Sequence, residues 1–281
     1  MKISVLGLGI IGGAWAKNLI ADGHEVRCWN RTPKDFPNFC SSASEAVAGA
    51  DVVFIVVADP PAVQSVLDQI RPVLGSGQLV IQSSTISAKW TLDFAHQVQE
   101  TGATFLEAPF TGSKIAAEER KTVYYLGGDT AVVEKARPVL ERLAGNILHI
   151  GPLGTASTLK LAMNLNIAAV AQALSESITF CRAAGISDDT YFGALKVNVS
   201  RSGVADLKEP KLRSHDYGPQ FSVKHMAKDL RLTMETAADR GLALPQTAQV
   251  REIYEKGITA GWADDDFIGL IRLIESNGAA K

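Results

Sequence analysis

The chain is poor in the features that mark stapled, membrane-spanning or nucleic-acid-coating proteins. Its 281 residues include only three cysteines, Cys28, Cys40 and Cys181. They are odd in number, widely spaced and without a CxxC pair, which speaks against a disulfide framework and a structural zinc site. Free thiols in a reducing compartment are expected, hence a cytoplasmic protein. No stretch reaches ~18 uninterrupted apolar residues, so no membrane span is expected. An excess of positive charge is also lacking. Lys and Arg number 28 against 30 Asp and Glu, a net charge of −2, which gives no reason to expect nucleic acid or an anionic membrane as partner. The five histidines (His24, His96, His149, His215 and His225) are scattered. None has metal-ligand spacing or a nucleophile partner, and no metal is expected. Only His225, one turn from Lys228, stands near other chemistry. A signal peptide is not visible either: Met1-Lys2 leads straight into the apolar run Ile3-Ser4-Val5-Leu6.

What is present is regular alternation. Short apolar runs at 2–6, 25–29, 51–57, 78–82 and 104–107 read as strands, with helical patterns at 10–22, 60–73 and 87–101 between them. Strands that are apolar throughout, rather than alternating, predict a parallel sheet covered on both faces. Strand–helix alternation with short links predicts a doubly wound α/β domain of Rossmann type. Ser42 and Glu45 offer a capping box for a short helix at 43–49. Two further strands are expected at 122–126 and 146–150, around a helix at 130–143. Beyond about residue 152 the character changes. Residues 155–184 lack proline and are rich in Ala, Leu, Ile and Met, which predicts one helix of ~45 Å, with Gly185 as its stop. Helices are expected at 188–199, 204–214, 222–240, 245–260 and 264–276, with Pro245 opening one of them. The reading is a dinucleotide-binding domain over 1–153 and an all-helical substrate and oligomerisation domain over 154–281. The long helix is apolar over much of its surface, so a homo-oligomer, dimer or tetramer, is expected.

Gly7-Leu8-Gly9-Ile10-Ile11-Gly12 is G-x-G-x-x-G, set directly after a predicted strand and opening a predicted helix. In that context Gly7 permits the tight turn, Gly9 admits the pyrophosphate to the backbone, and Gly12 allows close helix–strand packing. The phosphates then face the free N–H groups of a helix N-terminus. The end of the second strand reads Trp29-Asn30-Arg31-Thr32. An NAD site usually has an acid here to bind the ribose hydroxyl, and an acid would repel a 2′-phosphate. Neutral Asn30, a cation at Arg31 and a hydroxyl at Thr32 instead predict NADPH. Further on, Lys160 and Asn164 are four apart, so they share a helix face within an apolar run. Spacing alone fits two readings: a lysine aimed at a carbonyl substrate, or one that snorkels from a buried helix.

Four ordered motifs resemble the β-hydroxyacid dehydrogenase family, which includes 3-hydroxyisobutyrate dehydrogenases, tartronate semialdehyde reductases and glyoxylate/succinic semialdehyde reductases. The cofactor motif is Gly7 to Gly12, and the substrate motif is Glu107-Ala108-Pro109-Phe110-Thr111-Gly112-Ser113. The catalytic motif runs from Gly151 to Asn164, and the C-terminal pair is Lys228-Asp229. The resemblance implies Lys160 as the acid that protonates the carbonyl oxygen, with Asn164 supporting it. It implies that Thr111, Gly112 and Ser113 hold the substrate carboxylate and that Phe221 and Asp229 approach the substrate. Val57, Ala58 and Asp59 would line the cofactor groove, Thr85 would lie near the nicotinamide ribose, and Lys228 would close over the cofactor. Asn30-Arg31-Thr32 and the stretch from Phe221 to Leu232 resemble the glyoxylate/succinic semialdehyde reductase branch, whose substrates are small aldehyde-acids. Imine reductases share the architecture but replace the catalytic lysine, so Lys160 counts against that activity. The intact motifs count against a non-catalytic dinucleotide-binding protein. Three departures stand out. Thr111 replaces the usual Ser, and Phe110 replaces the common Val and adds bulk beside the pocket. Ala156 replaces the third glycine of the catalytic motif, so the backbone there must avoid glycine-only angles.

Overall fold

In the computed structural model, residues 1–278 are described; positions 279–281 of the expected second domain lie outside them. The chain forms two compact units, Met1–Leu161 and a second starting at Ala162.

The first unit contains β1 (Lys2–Leu6), α1 (Ile10–Ala21), β2 (Glu25–Trp29), α2 (Ala43–Val47), β3 (Val52–Ile55), α3 (Pro60–Ile70), β4 (Leu79–Gln82), α4 (Ala88–Gln99) and β5 (Thr104–Glu107). After these come β6 (Phe110–Thr111), α5 (Lys114–Glu118), β7 (Thr122–Gly127), α6 (Thr130–Leu140), β8 (Ala144–Gly151) and the start of α7 (Thr155–Ala183). The sheet order is β2-β1-β3-β4-β5-β7-β6, with β8 paired to β7. Strands β1 to β5 are all parallel. The doubly wound prediction follows from their two-sided burial. Ile3, Val5 and Phe54 pack with α1 residues such as Trp15. Leu6, Val53, Ile55 and Val80 pack on the opposite face with α3 and α4 residues such as Val63 and Phe94. Truncating a fully buried aromatic such as Phe94 to Ala would cost about 3–5 kcal/mol.

The sheet departs from the all-parallel expectation after β5. β7 runs antiparallel to both β5 and β6, while β8 returns parallel to β7. The link from 108 to 121 holds only β6 and the five-residue α5. Because β6 pairs antiparallel with β7, the chain folds back hairpin-fashion here instead of making a helical crossover. The capping box also shifts by one residue. Ser42 accepts from the Glu45 N–H at 3.1 Å, but the Glu45 carboxylate reaches Ser41, accepting from its N–H and its hydroxyl. Phe110 likewise adds its bulk to the core, stacking edge-on to Trp15 at 4.8 Å. Ala156 sits inside α7 and needs no left-handed angle.

The second unit comprises the rest of α7, α8 (Asp188–Val197), α9 (Gly203–Ser214), α10 (Val223–Ala238), α11 (Pro245–Thr259) and α12 (Arg272–Gly278). Gly185, at φ +77°, stops α7, and Pro245 opens α11. The helix expected over 264–276 is instead a loop, a 3-10 turn at Phe267–Ile271 and then α12. Asp266 is the cause: it is fully buried and its side chain accepts from the Ile268 N–H, tightening the start. Lys208 on α9 is buried against it, with Nζ 2.8 Å from Asp266 Oδ1. No helix among the described residues is long and apolar enough to cross a membrane.

Candidate active site

Each glycine of the first motif meets a different steric demand. Gly7 has φ +106°, and a Cβ there would lie 2.1 Å from the Val56 carbonyl oxygen. A Cβ on Gly12 would lie 2.0 Å from the Gly7 carbonyl oxygen, so helix and turn touch backbone to backbone. A Cβ on Gly9 would meet nothing within 4 Å. That open face lies at the N-cap of α1, where Ile10, Ile11 and Gly12 carry N–H groups without intrahelical acceptors. Leu8 is buried and Ile10 exposed. The cradle therefore fits a dinucleotide pyrophosphate.

Asn30 links this turn to the end of β2. Its Oδ1 accepts from the Leu8 N–H at 2.9 Å, and its Nδ2 donates to the Thr32 carbonyl at 2.7 Å. Arg31 and Thr32 are exposed just beyond. Lys34, which the sequence reading passed over, donates to the Leu8 carbonyl at 2.5 Å and so adds a second cation beside Arg31. The only sequence signal for it was a basic residue close behind the Asn-Arg-Thr triplet.

Two more strand ends shape the groove. Val57 is half-buried and its N–H donates to the Ser84 hydroxyl at 2.9 Å. Ala58 is exposed, and Asp59 caps α3 by accepting from Ala62 at 2.9 Å. Gln82 holds the turn after β4, accepting from Ser84 N–H and donating to the Ser84 carbonyl at 3.1 Å. Thr85 follows, half-buried. Gln82 and Ser84 escaped the sequence reading, although a polar run directly after an apolar strand marks the ligand end of a parallel sheet.

On the substrate motif, Thr111 is half-buried and Gly112 exposed at φ +144°. Ser113 caps α5, accepting from Ala116 at 3.4 Å. Glu107, which opens the motif, is fully buried. Its Oε2 accepts from the Gly154 N–H at 2.7 Å and its Oε1 from the Ser157 N–H. Burial pushes its pKa up, opposed by donors on Ser157, Gly154 and Ala156. Lys160, on α7, is only 7% exposed.

In the second unit the structure joins two predicted residues. Asn164 Nδ2 donates to Asp229 Oδ2 at 2.5 Å, although 65 positions separate them. Lys228 Nζ pairs with Asp229 Oδ1 at 2.9 Å. Phe221 is half-buried, and its ring lies stacked 6.0 Å from His225. His225 Nδ1 is 2.6 Å from the Ser222 hydroxyl. Burial pushes the His225 pKa down, and Lys228 and Lys224 push it further. Among the described residues, no three His, Cys, Asp or Glu side chains cluster as a metal site would require.

Residues 2–151 match the family described as the NAD binding domain of 6-phosphogluconate dehydrogenase. Residues 154–274 match the NAD-binding domain of NADP-dependent 3-hydroxyisobutyrate dehydrogenase. The 2-hydroxy-3-oxopropionate reductase of Escherichia coli is 30% identical, with 98% of this chain and 97% of that protein aligned. The chain belongs to the β-hydroxyacid dehydrogenase family. Glyoxylate/succinic semialdehyde reductase 1 of Arabidopsis thaliana is 28% identical over 98% of this chain and 99% of its own. The structure of Mycobacterium tuberculosis 3-hydroxyisobutyrate dehydrogenase with L-serine superposes with a TM-score of 0.88 at 28% identity, covering 97% of this chain and 98% of that one. This family member is thus an NAD(P)-dependent oxidoreductase that uses a nicotinamide dinucleotide.

Proposed function

We propose that this dehydrogenase reduces small aldehyde-acids with NADPH, glyoxylate to glycolate and succinic semialdehyde to 4-hydroxybutyrate, with Lys160 as the general acid. The observation that carries this reading is the burial of Lys160, 7% exposed near the start of α7. An ammonium withdrawn from water in that place serves proton delivery better than solubility. Bound NADPH supplies the hydride to the carbonyl carbon. Lys160 Nζ gives its proton to the carbonyl oxygen and stabilises the alkoxide as it forms. Thr111 and Gly112, with Ser113, bind the substrate carboxylate. Asn164, itself bonded to Asp229, supports the lysine, Phe221 and Asp229 contact the substrate, and Lys228 contacts the cofactor. The exposed Arg31 and Thr32 receive the 2′-phosphate beside neutral Asn30, and Lys34 adds charge there. The name of the Arabidopsis relative supports the substrate class.

Removing Lys160 as Lys160→Met should lower kcat by about 10²–10⁴-fold and leave NADPH binding intact. Full turnover in that variant would remove the lysine from the chemistry. Glyoxylate, succinic semialdehyde, tartronate semialdehyde, methylglyoxal and 3-hydroxyisobutyrate, each assayed with both cofactors, decide substrate and cofactor. A preference for 3-hydroxyisobutyrate would overturn the substrate assignment, and equal efficiency with NADH the cofactor assignment. The same reading includes a homo-oligomer, supported by Phe180 and Val197 standing 77% and 89% exposed. A monomeric mass in sedimentation equilibrium would contradict it.

A further inference from the structure

Six of the helices begin on a side-chain cap from the residue directly before them. Ser87 caps α4 and Asp59 caps α3 from the positions directly before them. Helix α7 begins after Gly154, which has no side chain to offer. The cap comes instead from Glu107, 47 residues earlier at the end of β5, through the Gly154 N–H at 2.7 Å and the Ser157 N–H. The surroundings are built around this carboxylate. A Cβ on Gly127 of β7 would lie 2.1 Å from Glu107 Oε2, so only glycine leaves it room. Ser157, capped by Glu107, is also fixed sideways by the Thr91 hydroxyl of α4 at 3.0 Å. Burying a carboxylate carries a desolvation cost that a local serine cap avoids. What the arrangement gains is a first turn of α7 tied to the sheet as well as to the preceding loop, where the Thr155 hydroxyl donates to the Pro152 carbonyl at 2.6 Å. Lys160 follows Ser157 by three residues, ~4.5 Å along the axis.

We propose that Glu107 is a positioning residue for Lys160: by capping α7 from the end of β5, its carboxylate sets the height and rotation of the turn that carries the ammonium. This rests on the reading of Lys160 as the general acid. The effect should appear in the chemical step and leave cofactor binding alone, because the Glu107 carboxylate spends its hydrogen bonds on the start of α7.

The test compares Glu107→Gln and Gly127→Ala with wild type. The amide keeps the shape of the side chain but turns an NH₂ towards the backbone donors, and the added methyl displaces the carboxylate without removing it. Each should lower kcat about 10–100-fold, the scale of a ~1 Å misplacement, with the Kd for NADPH within about twofold by fluorescence titration. Glu107→Asp keeps the charge and should recover part of the rate lost in Glu107→Gln. In a Lys160→Met background, adding Glu107→Gln should change the residual rate by less than about twofold, because its effect passes through the lysine. A kcat within twofold of wild type in Glu107→Gln overturns the proposal. So does an equal loss of NADPH affinity, or an undiminished loss in the Lys160→Met background, since either marks a purely structural role. If Glu107→Gln does not fold, wild-type kcat in Gly127→Ala overturns it equally. Full turnover in Lys160→Met alone defeats the general-acid reading itself, which separates the two failures.

Discussion

The buried pair of Lys208 and Asp266 gives a quantitative forecast for the second unit. Both side chains are at most 1% exposed, and burial pushes the Lys208 pKa down against the pull of Asp266. Breaking a buried pair by removing one partner costs about 3–5 kcal/mol, but the two ends are not equally supported. In Lys208→Met, Asp266 keeps backbone donors at Gln220 (3.0 Å), Phe221 (3.3 Å) and Ile268 (3.2 Å). Met gives up the ammonium over the Phe267 ring, 4.4 Å from its centroid, but sets a polarisable thioether against that ring. That loss should sit at the low end, about 3 kcal/mol. In Asp266→Ala, the ammonium keeps, among the described residues, only Gln220 Oε1 at 3.1 Å and the Phe267 ring at 4.4 Å. Three backbone N–H groups also lose their acceptor, so that loss should reach about 5 kcal/mol. At roughly 4 °C per kcal/mol for a unit of this size, the melting temperatures should fall by roughly 12 °C and 20 °C. Circular-dichroism melts, with urea midpoints as a check, measure both. A fall below about 4 °C for Lys208→Met, or a larger fall for it than for Asp266→Ala, would refute the reasoning.

Arg31→Ser should raise the KM for NADPH about 10–100-fold, the worth of a charged hydrogen bond, and leave the KM for NADH unchanged; parallel changes would deny Arg31 a 2′-phosphate. Gly9→Ala meets open space, so it should melt like wild type and lose dinucleotide affinity alone. Gly12→Ala drives a methyl onto the Gly7 carbonyl at 2.0 Å and should lose about 1–3 kcal/mol of stability as well; equal melting temperatures would count against the steric argument. His225 has its folded pKa below its ordinary 6.5, so the folded state binds the proton less readily than the unfolded chain. Its contribution to stability should therefore fall as pH drops through about 6.5 and level off below the folded pKa. Melting curves from pH 8 to pH 5 should show this component in wild type and not in His225→Gln.

The backbone geometry of the glycine turn was legible because its demands are local. Gly7, Gly9 and Gly12 report backbone angle, ligand clearance and helix contact within six residues. The shared face of Lys160 and Asn164 follows from helix period alone. What stayed hidden depends on partners far along the chain. Glu107 looked like a substrate-motif residue, yet it caps a helix 47 positions later. Asn164 finds Asp229 across 65 positions, and Lys208 finds Asp266 across 58. Periodicity carries no information about such pairings. It also misread the 264–276 segment, where a buried carboxylate overrode the helical pattern, and the sheet beyond β5, where β6 folds back on β7 as a hairpin.

Asn30 has a bearing on how this chain could change its coenzyme over time. The acid that usually greets a ribose hydroxyl would stand at this position. An aspartate here would keep the bond from Leu8 but set an acceptor against the Thr32 carbonyl, which now receives the Asn30 amide. The segment carrying Arg31 and Lys34 would lose one of its two ties to the turn in the same step, keeping the bond from Lys34 to the Leu8 carbonyl. If the turn holds a 2′-phosphate as proposed, a point mutation at Asn30 would not convert that habit cleanly into one for NADH. The route between them passes through replacement of the whole turn, so the residues from Asn30 to Lys34 should be inherited, and transplanted by an engineer, as one block.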